Sequence, residues 1–366
     1  MVAVDIQCVG RILARPSEPP GIERLVRVAR ALAYVAALAV VARTALAASI
    51  EDPGQGRVPL EGAAHESLEL SGMAWAGGTR FLAVSDKGGT LCTLEIDVDP
   101  ASGRIRSALV AGCTVLDQAT DLEGIAWAGD GTVYVSDERG PAIRRYDARS
   151  GVARGGVALP AVFRRARRNL SLESLTLAAD GTALWTANEE ALEGDGPTNR
   201  EANGGGTLVR LQRFLPSAAG RWRADGQWAY AVGGVAPFLG RAPSGVVDLA
   251  ALPDGRLLVL ERAAGALALG AELPTIEPGV RSRIYLVDSA GATETSRTAR
   301  LGPSVTPVTK TLLWEASFGA SNFEGMALGP PLADGAHSLV LVADGGQGLD
   351  GGLYALRVLA GERAAR

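Results

Sequence analysis

Histidine and lysine are almost missing from this chain of 366 residues. Each occurs twice, as His65 and His337 and as Lys87 and Lys310, and every other basic residue is arginine. So little imidazole argues against a histidine-based zinc site and against a Ser-His-Asp triad, and no G-x-S-x-G motif occurs. No uninterrupted apolar run reaches the roughly 20 residues that a membrane span needs. The formal net charge of -4 gives the chain no electrostatic reason to seek nucleic acid or anionic lipid. Cysteine is limited to Cys8, Cys92 and Cys113.

What is present begins with an address. Arg24, Arg27 and Arg30 precede the apolar run from Ala31 to Ala42, which leads to Ala45-Leu46-Ala47 and Ala48. A positive flank, a short apolar core and an A-x-A site predict a secretory signal over residues 1–47, cleaved after Ala47. The run is apolar on every side, which disfavours a buried amphipathic helix. No twin arginine precedes it and no cysteine follows the cleavage site, so the expectation is a soluble periplasmic or secreted protein, a monomer with no membrane insertion after cleavage. Removing residues 1–47 takes away six arginines and three acids and leaves -7. Cys92 and Cys113 then remain on the apolar faces of neighbouring strand patterns, where an oxidising compartment favours a disulfide.

A repeat organises the rest. Leu70-Ser71-Gly72-Met73, Leu122-Glu123-Gly124-Ile125, Leu172-Glu173-Ser174-Leu175, Val247-Asp248-Leu249-Ala250 and Phe323-Glu324-Gly325-Met326 share one pattern. A turn follows each, four of them Asp-Gly, which supplies the positive φ of a tight hairpin. A second apolar strand then ends in a polar cluster. The acidic position recurs at intervals of 52, 50, 75 and 76 residues, with two more strand-like runs between most copies. Four strands per unit, repeated, predict an all-β fold: a single β-propeller of four-stranded blades. Five blades are visible and a sixth stays open. The predicted boundaries are a linker at 48–56, the propeller at 57–360 and a tail at 361–366, with Arg57 to Leu70 supplying the missing strand of the last blade.

In an antiparallel hairpin the start of the first strand and the end of the second lie at one end. This places Glu123, Glu173, Asp248 and Glu324 in an inner ring at one channel mouth. Asp86, Asp137, Glu138, Glu189, Glu190, Glu261 and Asp344 stand beside it. The two long intervals carry their extra residues after the second strand, at 190–206 and 263–281, and so raise loops on the same face, where function usually sits. Crowded carboxylates need protons, arginine or a cation, and many hard oxygens suit Ca²⁺. Lys87, Arg139 and Arg262 adjoin these acids. The competing reading is that the inner acids bond backbone amides of the next blade and hold the ring closed.

Asp121-Leu122-Glu123-Gly124-Ile125-Ala126, Leu172-Glu173-Ser174-Leu175 with Asn188-Glu189-Glu190, Arg283-Ile284-Tyr285-Leu286-Val287-Asp288, and Asn322-Phe323-Glu324-Gly325 through Gly329-Pro330 to Asp344 resemble the phytase-like family of secreted bacterial proteins, labelled as having esterase-like activity. The resemblance implies an extracytoplasmic propeller related to calcium-dependent phytases. Those cluster lysine, arginine and tyrosine for phosphate, whereas Lys87 is the only lysine near this mouth. The expectation is a Ca²⁺-assisted hydrolase of phosphate esters or related small-molecule esters. Glu123, Asp137 and Glu324 would hold the metal, with Asp248 and Asp344 in the same set. Glu173 or Glu138 would take the proton, while Arg262 and Lys87 neutralise the leaving anion. The alternatives are a metal-dependent lactonase of the gluconolactonase type, using Asn188, and a non-catalytic propeller that binds an envelope glycan or peptide.

Overall fold

The computed structural model describes residues 48–62, 68–202, 205–218, 220–234, 244–269, 274–318, 321–345 and 351–361. The signal segment and His65 lie outside the described residues. Two short strands come first, β1 (Ser49–Glu51) and β2 (Arg57–Val58). Four antiparallel sheets of four strands follow in chain order. They are β3–β6 (Leu70–Trp75, Arg80–Ser85, Thr90–Val98, Ile105–Val115), β7–β10 (Leu122–Trp127, Thr132–Asp137, Ala142–Asp147, Ala153–Val157), β11–β14 (Leu172–Leu177, Leu184–Asn188, Thr207–Pro216, Trp222–Val232) and β15–β18 (Ser244–Ala251, Leu257–Leu269, Pro274–Asp288, Thr309–Phe318). The fifth sheet holds β19 (Asn322–Pro331), β20 (His337–Asp344) and β21 (Gly352–Leu359). These are the five blades of a β-propeller.

The ring closes on itself through the start of the chain. Ile50 pairs with Val358 and Val58 with Leu353, so β1 and β2 together form the outer strand of the fifth blade. Closure therefore begins within the segment read as a linker. Beyond Val58 the chain leaves that blade, and Glu61 exchanges backbone hydrogen bonds with Ala108 and Val110 on the outer strand of the first blade, at 2.9 and 2.8 Å. Such cover blunts an otherwise open sheet edge.

Each blade is apolar on both faces, so its strands read as almost continuous hydrophobic runs. Phe81 and Ala83 pack towards the fifth blade, while the alternating Leu82 and Val84 pack towards the second. Five buried clusters result, one at each junction between blades. The paired strands β5 and β6 are tied by a disulfide between Cys92 and Cys113, which stand opposite each other in register.

Packing is tight at the axis, where the innermost strands of adjacent blades meet backbone to backbone. A Cβ on Gly72 would fall 2.1 Å from the Glu123 carbonyl oxygen, one on Gly124 2.3 Å from the Leu175 nitrogen, and one on Gly325 2.4 Å from the Ser71 carbonyl oxygen. Glycine recurs in the repeat for this reason.

Gly124→Ala is therefore expected to lower stability by ~3 kcal/mol through overpacking, as read by denaturant unfolding. Gly140→Ala, where an added Cβ meets nothing within 4 Å, should stay within about 0.5 kcal/mol. Cys92→Ser should cost ~3 kcal/mol, matched by reductant acting on the wild type, from the lost chain crosslink.

Candidate functional site

Every inner strand carries a register irregularity at the same place: Leu70/Met73, Leu122/Ile125, Leu172/Ser174, Val246/Asp248 and Phe323/Gly325. A bulge re-aims a side chain, and here it turns the residue before the glycine position into the channel. The positions so turned are Ser71, Glu123, Glu173 and Glu324; Val247 holds the same place in the fourth blade but is packed into the core between the fourth and fifth blades. A second ring comes from the ends of the second strands. The backbone N–H groups of Asp86, Glu138 and Glu189 bond Glu69, Asp121 and Ser171, and the matching register pairs are Gly245 with Arg262 and Asn322 with Asp344. The second ring is thus Asp86, Glu138, Glu189, Arg262 and Asp344, with arginine in the fourth blade where the others hold an acid.

This register corrects two sequence expectations. Asp248 does not belong to the inner ring, because Val247 fills that place and Asp248 takes the glycine position. Its buried carboxylate accepts the backbone N–H of Leu249 at 2.8 Å and of Met326 at 2.7 Å, and also bonds that of Leu175, which straps the fourth blade to both neighbours. Asp137 lies one residue before Glu138 and so points to the other face of its strand. It accepts hydrogen bonds from Thr120 at 2.7 and 2.9 Å and from Arg144 at 2.6 Å, and is only 1% exposed. Asn188 and Glu261 share that position in their blades. Asn188 bonds the Glu190 carbonyl and the Arg210 N–H, and Glu261 takes Tyr230 and Lys310, so neither faces the mouth.

Glu123, Glu138 and Glu173 come together, with one carboxylate oxygen of each within 4.8 Å of the others. Glu138 accepts the Ser171 N–H at 2.9 Å and is hydrogen-bonded to Glu173, an arrangement that needs a shared proton when no cation is present. Burial, then the charges of Glu324 and Glu138, holds the Glu123 carboxyl well above the usual carboxylate range. No described residue donates a hydrogen bond to it. Glu173 is raised likewise, by burial and then by Glu123 and Glu189, although the residue as a whole is half-buried.

Arg262 stands across the mouth. Its guanidinium bonds Glu324 through Nη1 and Glu189 through Nη2 at 3.0 Å, and Nη1 lies 3.3 Å from the Asn322 side-chain oxygen. Asn322 in turn donates to Glu324 at 2.7 Å. Burial raises Glu189 from its ordinary 4.5 to about 7, against the pull of Arg262. Asp344 ends β20, and its charge adds to the burial that raises Glu324 and Asp86. Lys87 is 62% exposed and bonded to Glu69, and Glu190 accepts the Asn199 N–H at 2.5 Å within the long loop. Glu69, Asp121 and Asn322, two residues before the inner-ring position, escaped sequence reasoning as partners; their signal is polarity at that offset in successive copies. The other end of the channel is a largely apolar cavity of about 500 Å³ lined by Trp75, Trp127, Leu177 and Leu328, with His337 at its rim.

A family model described as "Phytase-like: Esterase-like activity of phytase" matches residues 68–345, most of the chain. The chain belongs to the phytase-like family. No curated protein sequence matches it. Among solved structures, this phytase-like chain is similar to hydrazine synthase of Kuenenia stuttgartiensis, at 10% identity and TM-score 0.35, covering 79% of this chain and 58% of that one. It is also similar to the PQQ-bound aldose sugar dehydrogenase of Streptomyces coelicolor, at 16% identity and TM-score 0.39 with 85% and 98% covered. A third similarity is to the periplasmic gluconolactonase of Pseudomonas aeruginosa, at 15% identity and TM-score 0.35 with 80% and 86% covered.

Raised carboxyls fix a pH dependence. Between about 4.5 and about 7 the folded mouth keeps protons that the unfolded chain has released, so stability falls as pH rises through that window. Chelator-treated protein is expected to show a falling Tm from about pH 5 to about pH 7.5, and a Tm that rises instead would contradict the burial of these groups as acids.

Proposed function

We propose that this phytase-like propeller is an exported, Ca²⁺-assisted ester hydrolase whose centre is the Glu123, Glu138 and Glu173 cluster. The observation that carries the reading is the buried Glu123 carboxylate, unbonded by any described residue and facing two further carboxylates. One oxygen from each of the three lies within 4.8 Å of the others, close enough for a single ion to bridge them. All three donors are hard oxygen, with no imidazole or thiolate among them. The Cys92–Cys113 disulfide supports export to an oxidising compartment, the periplasm or beyond.

When bound, such an ion polarises an ester oxygen and acidifies a water. The remaining work falls to the chain. Glu123 and Glu138 are fixed ligands, one enclosed among acids and the other pinned by the Ser171 N–H. Glu173 is hydrogen-bonded to Glu138 and is the least buried of the three, so it is the group that would accept a proton during attack and return it to the leaving alcohol.

Calorimetry should find one Ca²⁺ site that Glu123→Gln abolishes. Glu173→Gln should reduce turnover of a 4-nitrophenyl ester by about 10²-fold or more while weakening Ca²⁺ binding far less. Calcium binding without any ester turnover would sink the hydrolase reading and leave a binding protein.

A further inference from the structure

Resting on this reading of the mouth, we propose that Glu189 and Glu324, by holding Arg262, make the site selective for uncharged esters and against substrates that carry a carboxylate or phosphate near the scissile bond. The second ring holds Arg262 in the fourth blade and acids in the other four. That one cation is consumed from both sides, by Glu324 on one nitrogen and by Glu189 at 3.0 Å on the other. The other cations at the mouth are paired as well: Lys87 bonds Glu69, and Arg139 lies 3.7 Å from Asp121. An arriving anion can therefore reach Arg262, Lys87 or Arg139 only in competition with the acid that already holds each of them, and meets Asp86 of the second ring besides. Specificity here comes from the disfavoured partner. An uncharged ester incurs none of this repulsion.

Glu189 is the residue through which the arrangement can be altered without disturbing the fold. Its backbone N–H bonds the Ser171 carbonyl, and its own carbonyl accepts the Val246 N–H; the isosteric Glu189→Gln keeps both. The change removes one of the two carboxylates that hold Arg262 and leaves the guanidinium with charge to spare. Glu189 is a specificity residue in this scheme, acting through Arg262.

The test compares 4-nitrophenyl butyrate with 4-nitrophenyl hemisuccinate and 4-nitrophenyl phosphate, at saturating Ca²⁺ and constant ionic strength. In the wild type kcat/KM for the butyrate is expected to exceed that for either anion by about tenfold or more. Glu189→Gln should narrow the gap about fivefold or more, chiefly through KM for the anions. Equal use of butyrate and hemisuccinate by the wild type, or a ratio unmoved by the substitution, overturns the proposal. If no ester is turned over, the hydrolase reading fails separately, and calorimetric binding of the butyric and succinic 4-nitroanilides decides the selectivity. Preference for the uncharged anilide, narrowed in Glu189→Gln, sustains it; equal or tighter binding of the anionic one overturns it.

Discussion

The close approach of backbone to backbone, where five inner strands surround the axis, sets the terms for the rest. Carbonyl and amide groups of neighbouring blades come so near at Gly72, Gly124 and Gly325 that no side chain fits between them. The strand accommodates this with a bulge, and the bulge turns the preceding residue into the channel. Closure of the ring and presentation of the acids are therefore one structural event. The fourth blade meets the same constraint differently. It places Asp248 where the others have glycine or serine, and the carboxylate substitutes for direct backbone contact by accepting amides from both sides.

Much of this was legible in the sequence because propeller blades repeat. The five hairpins, their Asp-Gly turns, the four-strand unit and the cysteine pair all follow from local pattern, and the structure holds each of them. The closing strand was harder to see. Three residues at Ser49–Glu51 carry no periodicity, and only their pairing with β21 reveals them. The slip at Asp248 has another cause. Val247-Asp248-Leu249-Ala250 aligns with Leu122-Glu123-Gly124-Ile125 by chemistry, acid on acid, yet counting back from the hairpin turn puts Val247 opposite Glu123. The sequence reading makes Asp137 a ligand and Glu138 a proton acceptor at the same mouth, whereas a period of two lets only one of them face the channel. Glu123, Glu138 and Glu173 were each visible as acids near one mouth, but that these three converge depends on the rotation between blades.

So many buried acids would destabilise the folded chain if all were ionised, since like charges at about 4 Å repel by ~4 kcal/mol even at an intermediate dielectric. Three devices relieve the strain, and each acts on a different part of the mouth. Asp137 is neutralised inside its own blade by Arg144. Glu189 and Glu324 share Arg262. The Glu123, Glu138 and Glu173 group has no arginine among its bonded partners, and is left to a proton or a cation. The relief is thus weakest where the oxygens lie nearest together, which is the arrangement expected of a place that waits for an ion.

The fourth blade is the source of the asymmetry. A five-fold ring with identical blades would carry an acid at every position of both rings and would have no direction. The departures are Ser71 in the first blade and Val247 and Arg262 in the fourth, the last two on adjacent levels. Arg262 puts positive charge on the fourth blade's side of the mouth, beside Glu189 of the third blade, while Glu123 and Glu138 of the second blade lie further round the ring. The bonds that Arg262 makes to the third and fifth blades therefore do more than brace the ring. They set how much positive charge the fourth blade presents at the mouth, and the proposed selectivity rests on that charge.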